Sequence, residues 1–270
     1  MALNLVVQGP SLTDGLAREL GSPERISDRA FRFRNFPVRE SVAAWCESRQ
    51  VDHAWIPEGR RFADLKLVAM DMDSTLITME TIDELGDLVG KKPDIAAITA
   101  RAMRGEIDYP ESLRQRVGLL KGLDERGLLE VYERRLKLTD GAEVLLAACK
   151  RHSVKTLLVS GGFTFFVERL KKRLGIDSTI SNTLEIANGR LTGRVLGDIV
   201  DAEAKAATFR QLSRSLRKEQ TVAIGDGAND LKMMAEAGIS IAYRAKPVVR
   251  AKATYALNYS GLDGIINLFD

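Results

Sequence analysis

The segment 65–75, LKLVAMDMDST, constrains the fold of this 270-residue chain more than any other. Its apolar run ends at Met70 and has the length of a strand, and such runs are typical of parallel sheets covered on both faces. Asp71 and Asp73 follow at the carboxyl end of this strand, where open α/β sheets bind their ligands. Because unpaired buried carboxylates are unfavourable, the segment predicts a site that contains a cation or a hydrogen-bond network.

From residue 65 onward, predicted strands and helices alternate, which is typical of a doubly wound α/β domain with a parallel sheet. The strands are predicted at 65–71, 154–160, 221–225 and 238–243, and the helices at 141–152, 163–174, 201–217 and 229–237. A β-hairpin is predicted at 184–195, with Asn188-Gly189 as its turn.

The segment 79–138 interrupts this alternation because it is charged, helix-like and poor in strands. Thr81 and Glu84 fit a capping box at the start of its first helix. A helical block placed directly after the first strand predicts an inserted cap over the carboxyl edge of the sheet.

Residues 1–62 are predicted to form a separate small α+β unit in the order β-α-β-α-β. Its strands are expected at 3–9, 30–36 and 51–57, and its helices at 11–20 and 39–50. The alternation in 30–36 predicts a half-exposed strand. The unit shows no cluster of catalytic residue types, and we interpret His53 as an ordinary, partly exposed histidine.

Composition and charge argue against several classes of protein. The net charge of +3 suits an anionic small-molecule substrate, but without a concentrated basic patch it does not predict nucleic-acid binding. No long uncharged apolar run predicts a membrane span, and no signal peptide is recognisable. Cys46 and Cys149 show neither metal-ligand spacing nor a disulfide framework. We therefore expect a cytoplasmic protein.

Four polar motifs are predicted to meet at one edge of the sheet, because the carboxyl ends of parallel strands lie on the same side. They are Asp71-Met72-Asp73, Ser160-Gly161-Gly162, the helical Lys205, and GDGAND at 225–230. Each motif by itself has an ordinary explanation as a turn or a solvated side chain. Together, and in this order, they are hard to explain by packing alone.

The assembled motifs predict a magnesium-dependent phosphoryl-transfer site. Carboxylate oxygens suit Mg²⁺, and glycine amides can approach phosphate oxygens closely. A lysine can neutralise charge on a phosphoryl group. One aspartate can attack phosphorus and form an aspartyl-phosphate, while the second, two residues later, transfers protons.

The order DMDST, SGG, lysine and GDGAND resembles that of the haloacid dehalogenase (HAD) superfamily of phosphohydrolases over residues 65–270. The resemblance implies a HAD-like, Rossmann-type core with Asp71 as the nucleophile and Asp73 as the general acid and base. It also implies Mg²⁺ bound by the Asp71 and Asp226 carboxylates and the Asp73 carbonyl, with Asp230 beside these ligands.

The same resemblance implies a binding site for the substrate phosphate. Its members are Ser160, the Gly161 amide, Lys205 and Asn229.

Four segments more closely resemble the HAD members that hydrolyse O-phospho-L-serine, the last step of serine biosynthesis: DMDSTLITMETIDEL, SLRQRV, LVSGGF and AIGDGAND. A cap that recognises this substrate needs an anion for its ammonium group and a cation for its carboxylate. The resemblance assigns these roles to Glu80 and Arg116, since a guanidinium can bind a carboxylate with two hydrogen bonds. Arg114 is interpreted as part of a solvated helix face.

Met103 and Tyr109 match cap positions that shield the pocket from water in this family, where phenylalanine is common at the position of Tyr109. The N-terminal unit resembles small regulatory modules, including amino-acid-binding (ACT-like) ones, and we expect it to serve dimerisation, as a homodimer, or regulation.

Two alternatives remain open at this stage. A phosphotransferase would pass the phosphoryl group from Asp71 to another alcohol, and acceptor choice depends on the fit of the cap. A non-enzymatic sensor would bind phosphoserine and signal through residues 1–62, although a binder has no need for both Asp71 and Asp73.

Overall fold

The structure is a computed structural model that describes residues 3–270, and its N-terminal part is a four-stranded antiparallel sheet. The elements are β1 (Leu3–Gln8), α1 (Asp14–Arg18), β2 (Glu24–Ser27), β3 (Ala30–Phe33), α2 (Glu40–Ser48) and β4 (Asp52–Pro57). The strand order is β2-β3-β1-β4. The chain order is therefore β-α-β-β-α-β, with one strand more than the sequence predicted. The additional strand, β2, is mostly exposed and has no apolar alternation that would identify it.

The remainder of the chain forms a seven-stranded sheet with helices inserted after its first strand. The elements are β5 (Leu67–Met70), α3 (Thr81–Leu88), α4 (Lys92–Met103), α5 (Tyr109–Gly118), α6 (Arg126–Glu130), α7 (Ala142–Arg151), β6 (Lys155–Phe163), α8 (Thr164–Leu174), β7 (Ser178–Ala187), β8 (Arg190–Leu196), α9 (Ala202–Ser213), β9 (Thr221–Gly225), α10 (Leu231–Glu236), β10 (Ile239–Tyr243), α11 (Pro247–Arg250) and β11 (Tyr255–Leu257). None of the helices in residues 3–270 has the length and apolar character needed to cross a bilayer.

The sheet order is β11-β10-β9-β5-β6-β7-β8, and all neighbouring strands run parallel except β7 and β8. This confirms the predicted doubly wound α/β fold with inserted cap helices and a small N-terminal α+β part. The Asn188-Gly189 turn is also confirmed, since both residues have the positive φ angles, 51° and 73°, that a tight two-residue hairpin requires. The sequence missed β11, which has only three residues.

The central strand β5 is buried on both faces, as its apolar run predicted. Leu67 and Ala69 belong to one hydrophobic cluster, whereas Val68 and Met70 belong to the cluster on the opposite face. Successive side chains of a strand point to opposite sides, so an unbroken apolar run is what a doubly covered strand requires.

The β7–β8 hairpin supports the cap. The Gly122 N–H donates to the Leu191 carbonyl (2.8 Å), and the Leu191 N–H donates to the Leu123 carbonyl (2.9 Å). The loop that follows α5 is thereby held at a fixed place beside the main sheet.

The N-terminal sheet lies between its own two helices and the larger domain. Leu5 and Val7 of β1 pack on the helix side, while Val6 packs into the main core. The prediction of a half-exposed strand at 30–36 is wrong, because all four residues of β3 are buried. Arg32 reaches the C-terminus of the chain instead of solvent and pairs with Asp270 at 2.7 Å.

Asp52 joins the two parts of the chain. Its carboxylate is 3% exposed and accepts hydrogen bonds from the backbone N–H groups of Asn258 (2.6 Å), Tyr259 (3.1 Å) and Ser260 (2.8 Å). A buried carboxylate with several backbone donors is well stabilised, and its removal leaves those donors unsatisfied.

We expect Asp52→Ala to lower the free energy of unfolding by about 2–4 kcal/mol, because three backbone N–H groups, that of Ser260 fully buried, lose a charged acceptor. Urea denaturation followed by circular dichroism measures this change. Asp28→Ala is the matched control, since the Asp28 side chain is fully exposed and its variant should unfold as wild type does. Equal stabilities for the two variants would contradict the role of Asp52.

Candidate active site

The strand register places the predicted site residues together at one edge of the sheet. Met70 at the end of β5 is paired with Leu158 on β6 and with Ile224 on β9. Asp71 follows directly, and Ser160 and Asp226 each lie two residues beyond these partners. The parallel pairing therefore brings three of the four motifs together.

The chain turns sharply after β5. The Asp71 carboxylate accepts a hydrogen bond from the Met72 N–H (2.7 Å), and Ser74 adopts a positive φ of 55°. Left-handed backbone is uncommon for residues other than glycine and costs about 1 kcal/mol. In this conformation the Ser74 hydroxyl donates to Glu80 (2.7 Å) and holds that carboxylate at the cavity.

Lys205 is buried between two carboxylates. Its ammonium lies 2.9 Å from Asp71 Oδ2 and 2.8 Å from Asp230 Oδ1, and the side chain is 1% exposed. Burial favours the neutral amine, but the charges of Asp230 and Asp71 outweigh it and raise the pKa of Lys205 above its ordinary value. Burial, and then the charge of Asp230, raises the pKa of Asp71 well above its usual range, and Lys205 opposes this. The lysine is thus the protein's own counterion for Asp71.

Asp73 has a different environment. Its carboxylate accepts hydrogen bonds from the backbone N–H (2.9 Å) and the hydroxyl (3.4 Å) of Thr81. Burial, followed by the charge of Glu80, raises the pKa of Asp73 to about 8. The carboxyl group is therefore largely protonated at neutral pH and can act as an acid. The predicted capping box is wrong, because Glu80 occupies the N-cap position and the Thr81 hydroxyl donates a hydrogen bond to Asp73.

The Ser160-Gly161-Gly162 segment forms a bulge near the end of β6. The Ser160 hydroxyl is buried and accepts a hydrogen bond from the Gly162 N–H (2.8 Å). A Cβ atom at Gly162 would lie 2.7 Å from Asp73 Oδ2 and 2.9 Å from Ser160 Oγ. The close approach of the two loops therefore requires glycine at this position.

Carboxylate oxygens of Asp71, Asp226 and Asp230 lie within 4.8 Å of one another. Asp230 is fully engaged, because it pairs with Lys205 and accepts the Gly227 N–H (3.1 Å). Burial, then the charge of Asp230, raises the pKa of Asp226 to about 6. Closely spaced hard oxygen donors of this kind fit Mg²⁺.

A cavity of about 590 Å³ lies between these loops and the cap. The predicted site residues that line it are Asp71, Asp73, Glu80, Arg116, Gly161, Asp226 and Asn229. Ser160, Lys205 and Asp230 are buried next to the lining residues, and Lys205 contacts Asp71. Arg114 is exposed and does not line the cavity.

Two further predicted cap residues differ in their positions. Tyr109 is half-buried and its hydroxyl donates to the Gly161 carbonyl (3.2 Å), which connects the cap with the bulge of β6. Met103 lines the cavity but is 66% exposed.

Sequence reasoning missed three residues that the structure places at the site. Thr81 binds Asp73, Asn182 binds the Gly161 carbonyl (2.8 Å), and Lys246 lines the cavity near Asp226. Thr81 and Lys246 each resemble an ordinary helix-start residue in the sequence. Asn182 lies in β7, two residues before the hairpin predicted at 184–195, and no local pattern distinguishes it.

Comparison with known proteins agrees with this geometry. The family model of the haloacid dehalogenase-like hydrolases matches residues 68–235. A phosphoserine phosphatase of Polaromonas sp. (strain JS666) is 54% identical over 217 residues, which cover 77% of this chain and 91% of that protein. The chain therefore belongs to the haloacid dehalogenase-like hydrolase family.

Similarity to solved structures narrows the class of hydrolase within this family. The unliganded structure of a probable phosphoserine phosphatase from Vibrio cholerae superimposes with a TM-score of 0.87 at 36% identity, covering 99% of this chain and 86% of that one. A phospho-aspartyl intermediate analogue of phosphoserine phosphatase gives a TM-score of 0.71 at 36% identity, covering 76% and 99%. Within the family, the chain groups with the phosphoserine phosphatases.

The contacts of Gly162 predict that Gly162→Ala lowers kcat by about a hundredfold, because small displacements of catalytic groups have effects of this size. The added methyl group would push Asp73 away from its position. Steady-state kinetics measure the loss. Gly118→Ala is the control, since a Cβ there meets no atom within 4 Å, and it should leave kcat unchanged. Wild-type turnover in Gly162→Ala would refute the required close packing.

Proposed function

We propose that the protein hydrolyses O-phospho-L-serine to L-serine and phosphate through an aspartyl-phosphate on Asp71. The main support for this proposal is that two neighbouring aspartates have different hydrogen-bond and ion-pair partners. Asp71 is paired with the buried Lys205, whereas Asp73 accepts hydrogen bonds from the backbone N–H and the hydroxyl of Thr81. One is therefore suited to attack and the other to donate a proton. The reaction would be the last step of serine biosynthesis.

In the first step, a carboxylate oxygen of Asp71 forms a bond to phosphorus as the bond from phosphorus to the serine oxygen breaks. Asp73 donates its proton to the departing serine oxygen. In the second step, Asp73 accepts a proton from water, whose oxygen bonds to phosphorus while the bond to Asp71 breaks. Phosphate leaves, and both aspartates return to their initial states.

Lys205, Ser160, the Gly161 amide and Asn229 are proposed to bind the phosphoryl group. Lys205 already neutralises Asp71 and can share its charge with the incoming phosphate. We propose Mg²⁺ as the cofactor, with the Asp71 and Asp226 carboxylates and the Asp73 carbonyl as its ligands. When bound, the ion supplies positive charge to the phosphoryl oxygens.

The cap is proposed to recognise the amino-acid part of the substrate. Glu80 and Arg116 both line the cavity, and they offer opposite charges to an ammonium and a carboxylate. The Arg116 Nε–H donates to the Ser112 carbonyl (3.3 Å), and the residue lines the cavity. The other N–H groups of its guanidinium are proposed to bind the substrate carboxylate.

The N-terminal unit is proposed to serve dimerisation or regulation. Its edge strand β2 pairs only with β3 among the described residues, so its outer edge is open to another strand. The molar mass by light scattering tests dimerisation, since one chain has a mass of 29.8 kDa. A monomer at all accessible concentrations would exclude this part of the proposal.

The function is tested by phosphate release from L-phosphoserine with and without Mg²⁺, beside phosphothreonine and an aryl phosphate. We expect release that depends on Mg²⁺ and is fastest with L-phosphoserine. Asp71→Asn should reduce it by roughly a thousandfold or more, because an amide is a poor nucleophile. Substantial turnover by Asp71→Asn would refute the nucleophile, and preference for the aryl phosphate would refute the substrate.

Arg116→Ala is expected to raise KM for L-phosphoserine by about tenfold to a hundredfold, the size of one or two lost charged hydrogen bonds. KM for an aryl phosphate without a carboxylate should change little. Arg114→Ala is the matched control on the same helix, because Arg114 is exposed outside the cavity. Equal effects of Arg116→Ala on both substrates would exclude it from recognition of the substrate carboxylate.

A further inference from the structure

The bulge that carries the proposed phosphate-binding groups interrupts the pairing of β6 with β7. Val159 is in register with Ile180 and Phe163 with Asn182, so three residues of β6 lie opposite one residue of β7. A bulge of this kind removes backbone groups from the ladder, and buried backbone groups require other partners.

Asn182 supplies such a partner from the facing strand. Its side chain is 1% exposed, and its amide nitrogen donates to the Gly161 carbonyl at 2.8 Å. The Gly161–Gly162 peptide is therefore held at both ends, because its N–H donates to Ser160 Oγ (2.8 Å). The bulge owes its shape to these side chains as well as to its glycines.

The other end of the Asn182 amide reaches a second part of the site. Its Oδ1 accepts the Val200 N–H at 2.8 Å. The next residue, Asp201, caps α9 by accepting hydrogen bonds from the Glu203 and Ala204 N–H groups, both at 2.9 Å. Helix α9 contains Lys205 one turn later.

We propose that Asn182 is a positioning residue that fixes the bulge of β6 relative to the helix carrying Lys205. One planar amide sets the separation of the two segments that hold the phosphate, although it touches neither the phosphate nor Asp71. Loss of Asn182 should weaken phosphate binding because the Gly161 peptide and Lys205 no longer share a fixed geometry. This inference rests on the proposed phosphate-binding roles of those two residues.

Binding of inorganic phosphate in the presence of Mg²⁺, measured by isothermal titration calorimetry on the full chain, tests the proposal without requiring turnover. Asn182→Ala should raise the Kd for phosphate about tenfold, as expected if the displaced Gly161 or Lys205 loses one well-placed hydrogen bond to the phosphate. KM for L-phosphoserine should rise by a similar factor. Asn4→Ala is the matched control, since Asn4 is also buried and accepts one backbone N–H (3.0 Å) in the N-terminal sheet.

If the role of Asn182 is purely structural, Asn182→Ala should have a lower unfolding temperature, as Asn4→Ala should. Its Kd for phosphate would then stay within twofold of the wild-type value, and that result would overturn the proposal. If Asn182→Ala does not fold, Asn182→Asp retains the oxygen that faces Val200 and loses the amide donor, and the same Kd criterion applies to it. Failure of the wild-type protein to hydrolyse L-phosphoserine would refute the proposed function, whereas the phosphate titration would still decide the role of Asn182.

Discussion

The ion pair between Lys205 and Asp71 is the interaction on which the rest of the site depends. Two carboxylates, Asp71 and Asp230, are buried close together, and their repulsion would protonate one of them without a cation. Lys205 satisfies both and is itself kept charged by them. Removing Lys205 would leave two buried carboxylates without a counterion, which is far more unfavourable than the loss of a surface ion pair. The triad therefore keeps the Asp71 carboxylate paired with a cation at the end of β5.

The same chemistry requires Asp73 to differ from Asp71, although only one residue separates them. The sharp turn after β5, with Ser74 in a left-handed conformation, directs the two side chains to different surroundings. Asp71 faces a buried ammonium, and Asp73 faces Thr81 at the start of the cap. The surroundings of the proposed acid are thus set by the first turn of the cap, and those of the proposed nucleophile by the sheet. In the proposed mechanism the cap contributes to proton transfer as well as to the enclosure of the substrate.

The N-terminal unit is joined to the catalytic part by buried polar contacts at the end of the chain. Asp52 accepts three backbone N–H groups from 258–260, and Arg32 pairs with Asp270. Apolar packing adds to this interface, because Val6, Ala54 and Ile56 of the N-terminal unit belong to the main core. Contacts of this kind hold the two parts in one orientation. A conformational change in the N-terminal unit could therefore affect the active site only through this interface.

The sequence by itself determined the sheet, the cap and the candidate reactive residues that meet at one edge of the sheet. Apolar runs of strand length report burial on both faces, and carboxylates, glycines and a lysine directly after such runs have few explanations other than chemistry. It did not determine β2, the burial of β3 or the part played by Thr81 and Asn182. The burial of β3 and the role of Asn182 depend on partners distant along the chain, Asp270 for Arg32 and Gly161 for Asn182. Local periodicity reports how a segment is buried, whereas a hydrogen bond between distant segments exists only once the tertiary structure has brought them together.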